Sequence, residues 1–343
     1  MSNGQPLTSD EQPSRTEREP TEDAVERSDA GRSDAGRSDA ERSDAERSDA
    51  ERSDTERSDA ARSDSGTAAA GFTGTDLVLG YPGLDDPVID GESIAVPPDE
   101  VTALIGPNGS GKSTLLKGLA DKISPDTGTV LVDGQPIDAF GSKELARTLG
   151  LLSQENVVPS GISVEDLVER GRYPYTGFFD SLSDEDREAV DEAIRLAGID
   201  HLRERDVDSL SGGQKQLVWI AMAIAQDTDV LLLDEPTTFL DPQHQLEVMQ
   251  IVETLCDESR ITVVLVLHDI AQAARYADHV VALKDGSMHA RGPPEEVITQ
   301  QLLADVFEID AAVLDTEYGP QVVPLTPLGD GGPSRNDADA PAE

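Results

Sequence analysis

A single cysteine, Cys256, stands in 343 residues, so no disulfide can close within the chain and no zinc cluster can be built from thiolates. Lysine occurs only at 112, 117, 122, 143, 215 and 284. The clustered Lys and Arg that grip phosphate backbones or anionic lipid are missing, which argues against nucleic acid and against a basic membrane-docking patch. Aromatics make up 3% of the chain. Long apolar runs are missing too: the longest uncharged one, Leu217 to Ala225, is far short of the ~20 residues that a membrane-spanning helix needs. The opening MSNGQPLTSDEQ has neither a basic region nor an apolar stretch of signal-peptide type. The expected location is the cytosol, with other subunits carrying any membrane spans.

Charge of one sign is in excess. There are 69 acidic and 27 basic residues, a net of −42. Residues 1–70 hold 19 acidic and 10 basic residues, which leaves 50 and 17, or −33, for the rest. The acidity therefore belongs to the folding part of the chain as well. Such a surface stays hydrated where salt screens its self-repulsion, which points to a halophile, and a halophilic archaeon is the expected source. The melting temperature should accordingly rise between about 0.1 and 2 M KCl, because screening shortens to about 3 Å at 1 M. A flat or falling melting temperature over that range would contradict the halophilic reading.

Residues 1–73 form a separate low-complexity tail. A five-residue unit built on Arg-Ser-Asp recurs eight times, with arginines from Arg27 to Arg62. A period of five matches neither helix nor strand, so no apolar face can form and the segment is expected to be disordered. Beyond it, strand candidates (Asp76–Leu79, Val101–Ile105, Thr129–Val132, Leu149–Leu152, Val230–Leu233, Ile261–Leu267, Val280–Leu283) alternate with helix candidates (Lys112–Ala120, Val164–Arg170, Asp184–Ala197, Gly213–Gln226, Pro242–Cys256, Ile270–Ala277). The alternation predicts an α/β domain over 74–309 with a largely parallel sheet core. Helices alone fill 155–212, which suggests an inserted helical subdomain. Residues 310–343 read as a C-terminal extension, frayed from about 325.

The run Gly106-Pro107-Asn108-Gly109-Ser110-Gly111-Lys112-Ser113 satisfies G-x-x-x-x-G-K-[ST]. An apolar strand precedes it and a helical pattern beginning Thr114-Leu115-Leu116 follows. Glycines let amides curl around phosphate oxygens, and the helix start adds its dipole. Lys112 is placed to reach the β- and γ-phosphates of ATP, and the Ser113 hydroxyl to ligate Mg²⁺. A second strand, Val230–Leu233, delivers two carboxylates at its tip. Asp234 is the expected second Mg²⁺ ligand, and Glu235 is placed to polarise an attacking water.

Twenty residues before that strand, Leu210-Ser211-Gly212-Gly213-Gln214 reads LSGGQ. It resembles the signature of ATP-binding-cassette (ABC) ATPases, the nucleotide-binding subunits of membrane transporters. Smaller elements agree. Gln154 resembles the Q-loop glutamine, which contacts the metal; Asp241 the D-loop aspartate; His268 the switch histidine that meets the γ-phosphate. Tyr81 resembles the aromatic that stacks on adenine, and a buried strand-edge tyrosine is the rival reading. The resemblance spans about residues 74–320. It departs at Asp99 and Asp121, where the family usually has glycine. It implies an antiparallel β region beside the parallel core and a P-loop NTPase fold. Two copies would sandwich two ATP molecules head to tail, each signature facing the nucleotide of the other copy, on the cytoplasmic face of the cell membrane. Two polytopic permease subunits and an indirectly coupled extracellular substrate-binding protein would complete the system.

Gly171-Arg172-Tyr173-Pro174 resembles an element of the ATPases serving iron–siderophore, haem and cobalamin importers. Trp219–Ala223 and Thr237–Asp241 resemble the ferric-siderophore members, and all three stretches are expected to flank surfaces that meet a permease. The implied cargo is an iron(III)–siderophore complex, with cobalamin second and haem third. A soluble, non-transport ABC ATPase and a nucleotide-binding module without hydrolysis are the alternatives. The single P-loop, the lack of a long insertion between Ser113 and Leu210, and intact Glu235 and His268 weigh against them.

Overall fold

Val230-Leu231-Leu232-Leu233 is an unbroken apolar run because its strand is buried on both faces. Leu231 and Leu233 point into one core, and Val230 and Leu232 into another. The neighbouring strands divide in the same way: Ala103 and Ile105 against Leu104, Val263 and Leu265 against Val264 and Val266.

The computed structural model describes residues 71–84, 86–154, 156, 160–177 and 181–328, and residues 1–70, with the repeat, lie outside them. The expected tail boundary at 73 is too late, because Phe72 is buried and both Phe72 and Thr73 are already paired as part of the first strand. The strands are β1 (Phe72–Leu79), β2 (Ile89–Val96), β3 (Val101–Ile105), β4 (Thr127–Val132), β5 (Gln135–Pro136), β6 (Leu149–Leu152), β7 (Val230–Asp234), β8 (Thr262–Val266), β9 (His279–Lys284), β10 (Ser287–Gly292), β11 (Ile309–Thr316) and β12 (Gly319–Pro327). The α-helices are α1 (Lys112–Leu119), α2 (Ser142–Thr148), α3 (Val164–Glu169), α4 (Asp184–Leu196), α5 (Gly212–Ala225), α6 (Pro242–Asp257), α7 (Ile270–Tyr276), α8 (Pro294–Val297) and α9 (Gln300–Phe307).

The central sheet runs β10-β9-β3-β8-β7-β6, parallel throughout except for β10. An antiparallel sheet, β2-β1-β4-β5, lies over one face with α1 between the layers. The other face packs against α5 and α6, and α3 and α4 join that core. Between 155 and 212 the described residues hold helices and one isolated bridge, Ser163 to Asp206. Both α-helices here start on a sequence signal: Ser163 caps α3 by accepting from the Asp166 amide. Ser183 caps α4 by accepting from the Asp186 amide, and three acidic residues fill the first turn.

Several elements escape the sequence pattern. β2 carries Gly91 and polar Asp90, Glu92 and Ser93, and it is recruited by pairing with β1. β10 has an alternating half-buried pattern at the sheet edge. β11 and β12 pair with each other, so strand order reaches Pro327 where fraying is expected from about 325. Residues 329–343 lie outside the described residues.

Asp99 and Asp121, the two departures from glycine, have φ of 60° and 56°. Asp76, Asp133, Asp227 and Asp285 are left-handed as well. Aspartate tolerates this region because its short side chain bonds locally, so it adds acidity at turns where glycine is the ordinary solution.

Candidate functional site

β3 ends at Ile105 and the chain turns through Gly106, whose φ is 149°. A Cβ there would sit 2.1 Å from the Leu283 carbonyl oxygen, so only glycine fits. At Gly109 the φ is 80° and nothing lies within 4 Å of a built Cβ, which leaves the loop open at that point. Ser110 Oγ is buried and has no hydrogen-bond partner. A buried hydroxyl without a partner is costly, and a phosphate oxygen would satisfy it. The loop therefore fits a phosphate-bearing ligand.

Lys112 is 4% exposed, and its Nζ donates to the carbonyls of Gly106 and Pro107, both at 2.9 Å. Burial lowers its pKa, against the opposing charges of Glu235 and Asp234. Its ammonium is thus held in the mouth of its own loop. Ser113 Oγ donates to Asp234 Oδ1 at 2.8 Å. Burial raises the Asp234 pKa, with the Ser113 bond and Lys117 pulling it down. Hydroxyl and carboxylate oxygens side by side are the hard donors that would suit a cation such as Mg²⁺.

Glu235 follows β7 in the left-handed region at φ 55°, strained for a residue with a side chain. Three side chains hold its carboxylate. Gln154 Nε2 donates to Oε2 at 2.6 Å, Thr238 Oγ1 to the same oxygen at 3.2 Å, and His268 Nε2 lies 2.5 Å from Oε1. Asn108 and Thr237 line the same cleft. Residues distant in sequence, Gln154 and His268, thus meet at the Glu235 carboxylate, in a cleft that Asn108 also lines. A carboxylate oriented in this way can accept a proton from water or align it. Thr238, and the chain from Thr237 through Gln272 to Gln245, have no counterpart in the sequence reading. The segment Thr237–Asp241 stood out by resemblance, without a role for either threonine.

The signature lies apart from this cleft. Ser211 caps α5 and forms a reciprocal box with Gln214. Gln214 lines a separate hollow between α4, α5 and α6. Asp241 caps α6. Before it, Phe239 is 97% exposed. Tyr81 is 41% exposed and its hydroxyl lies 3.3 Å from Thr114 Oγ1. That exposure removes the buried strand-edge reading of Tyr81.

The stretches expected to flank a permease surface need correction. Trp219, Ala221 and Ala223 are buried on α5, so Trp219–Ala223 serves packing. Gly171 packs on the α5 backbone, where a Cβ would lie 2.3 Å from the Met222 carbonyl oxygen. Arg172 is buried: Nε donates to Asp186 Oδ1 and Nη1 to the Ala225 carbonyl, both at 2.9 Å. Its guanidinium lies 3.7 Å from the Tyr175 ring centre. Of this element, Tyr173 faces outward.

Comparison with known proteins agrees with this geometry. A family profile described as ABC transporter matches residues 89–238. The ferric enterobactin transport ATP-binding protein FepC of Escherichia coli is 43% identical over 260 residues, 75% of this chain and 95% of that protein. The probable siderophore transport system ATP-binding protein YusV of Bacillus subtilis is 46% identical over 69% of this chain and 86% of its own length. The cobalamin import ATP-binding protein BtuD of Halobacterium salinarum is 38% identical, and the alignment covers 71% of this chain and 60% of that protein. Among solved structures, an inward-facing putative metal-chelate type ABC transporter superposes with a TM-score of 0.65 at 27% identity, over 75% of this chain and 98% of the matched one. With its phosphate loop, paired strand-tip carboxylates and signature helix in place, the chain belongs to the ABC transporter family as an ATP-binding subunit and ATPase.

Proposed function

We propose that this ATPase energises uptake of an iron(III)–siderophore complex. The observation that carries the reading is 43% identity across 95% of a ferric enterobactin transport subunit. Identity to the cobalamin import subunit is lower and covers less of that protein, which makes cobalamin the second reading and haem the third. No helix among the described residues is long and apolar enough to cross a membrane. Its relatives are ATP-binding subunits of import systems, and in this reading the subunit works with permease subunits that carry the spans. The finer arrangement is two copies on two permeases at the cytoplasmic face, fed by an extracellular binding protein.

In this reading Gly106–Ser113 and Thr114 cradle the phosphates, and Tyr81 stacks on adenine. Ser113, Asp234 and Gln154 would hold Mg²⁺, which would neutralise charge on the phosphates. Lys112, desolvated at the loop mouth, meets the β- and γ-phosphate oxygens. Glu235 aligns the attacking water, and His268 exchanges its contact with Glu235 for one with the γ-phosphate. Leu210–Gln214 and Asp241 act across the dimer. The acidic surface fits work at molar salt.

A strain lacking the subunit, assayed for uptake of labelled ferric siderophore and labelled cobalamin, tests the cargo. Loss of siderophore uptake with normal cobalamin uptake is expected. The opposite pattern would install cobalamin instead.

A further inference from the structure

His244 sits in the first turn of α6 and faces two functional segments at once. Its backbone amide donates to Asp241 Oδ1 at 3.1 Å, and its Nδ1 lies 2.9 Å from both oxygens of that carboxylate. One residue thus grips Asp241 twice. On its other side the imidazole rests on Gly213. A Cβ built there would lie 2.5, 2.6 and 2.7 Å from ring atoms Cγ, Cδ2 and Nδ1, closer than real contacts allow. The neighbouring Gly212 meets nothing within 4 Å. The two signature glycines therefore differ: one faces open space, and the other is glycine because a ring occupies its side-chain position. The ring is only one-fifth exposed, whereas Asp241 is more than half exposed.

We propose that His244 is a positioning residue that ties Asp241 to the start of the signature helix, so that the two surfaces offered to a second copy of the chain move as one body. The proposal rests on the head-to-tail dimer reading above. The physical basis is a short rigid chain of contacts. Asp241 orients the ring through Nδ1, the ring seats on Gly213, and the Ser211–Gln214 box fixes the amides beside it. A shift of Asp241 must move the ring, and close contact at Gly213 passes that shift to the signature. Without the ring, Asp241 and the signature can relax separately. Misplacement by about 1 Å at a catalytic surface is enough to cost about 100-fold in rate.

Three variants of the full chain separate the two halves of the contact. His244→Asn keeps a side-chain donor toward Asp241; His244→Phe keeps a ring on Gly213 without that side-chain donor; His244→Ala keeps neither, and leaves only the backbone amide on Asp241. The expected result for Ala is a kcat lowered about 10- to 100-fold, with affinity for a fluorescent ATP analogue and melting temperature close to the parent. Asn and Phe each keep one of the two contacts, so each should fall between Ala and the parent. A parental kcat for His244→Ala would overturn the proposal, as would a parental kcat for Asn or Phe, since either would show that the two-sided tie is not needed. Rate losses that simply follow losses in melting temperature would overturn it too. ATP-dependent dimerisation in the Glu235→Gln background separates the two failures. If that protein stays monomeric with ATP, the dimer reading falls and the proposal with it. If it dimerises while His244→Ala keeps full turnover, only the role of His244 falls.

Discussion

Glu235→Gln is expected to lower ATP turnover about a thousandfold or more while leaving Mg-ATP affinity nearly unchanged. General-base assistance contributes about 10² to 10⁴ in rate, and the amide cannot accept the proton or orient water as the carboxylate does. The phosphate loop, with Lys112 on the carbonyls of Gly106 and Pro107 and Ser113 on Asp234, does not depend on Glu235 for its shape. The variant should therefore load nucleotide and accumulate as a dimer detectable by size-exclusion chromatography. Lys112→Ala supplies the contrast, because it removes the cation beside the phosphates and should weaken nucleotide binding itself. Phosphate release at the parental rate from Glu235→Gln would remove Glu235 from the role assigned to it.

Arg172→Ala is expected to be the most destabilising change away from the nucleotide site. Its guanidinium bonds Asp186 and the Ala225 carbonyl inside the helical subdomain and stacks on Tyr175. Burial pushes the Asp186 pKa up, but bonds from Ser183 and Arg172 outweigh it and hold the pKa below its ordinary value. Removing one partner of a buried pair costs about 3 kcal/mol or more, since the other charge stays behind. At about 2–4 °C per kcal/mol for a domain of this size, the melting temperature should fall by about 6–12 °C. Arg172→Lys should recover little, because an ammonium cannot bond Asp186 and the Ala225 carbonyl together and also stack on the ring. A melting temperature within about 2 °C of the parent would show that the pair adds nothing. Since folded-state Asp186 is the stronger acid, its share of stability is present above the ordinary carboxylate pKa and is lost as pH falls through the lowered value.

The nucleotide site was legible from residue order because each of its parts is local. The loop Gly106–Ser113 needs only a strand before it and a helix after it. Asp234 and Glu235 need only an apolar run long enough to be buried on both faces. The LSGGQ at 210–214 carries its own cap in Ser211 and Gln214. These are short-range facts of φ/ψ, period and capping, and a single sequence contains them. The acidic turns were visible as composition, but why aspartate and not glutamate fills them depends on φ at Asp99 and Asp121, which is backbone geometry.

Tertiary structure decided everything that depends on what a residue faces. Gly171-Arg172-Tyr173 reads as a surface label until α5 is laid beside it. Then Gly171 and Arg172 turn out to be packing residues, and Tyr173 alone remains outside. β2, β11 and β12 have weak patterns of their own and form because a partner strand supplies the hydrogen bonds. The triple hold on Glu235 joins positions 154, 238 and 268, and the ring of His244 fills the place of a side chain at Gly213. Sequence determined which groups are present and which local shapes they can take. Long-range contact determined which of them meet, because burial and steric fit are properties of neighbours in space and not of neighbours along the chain.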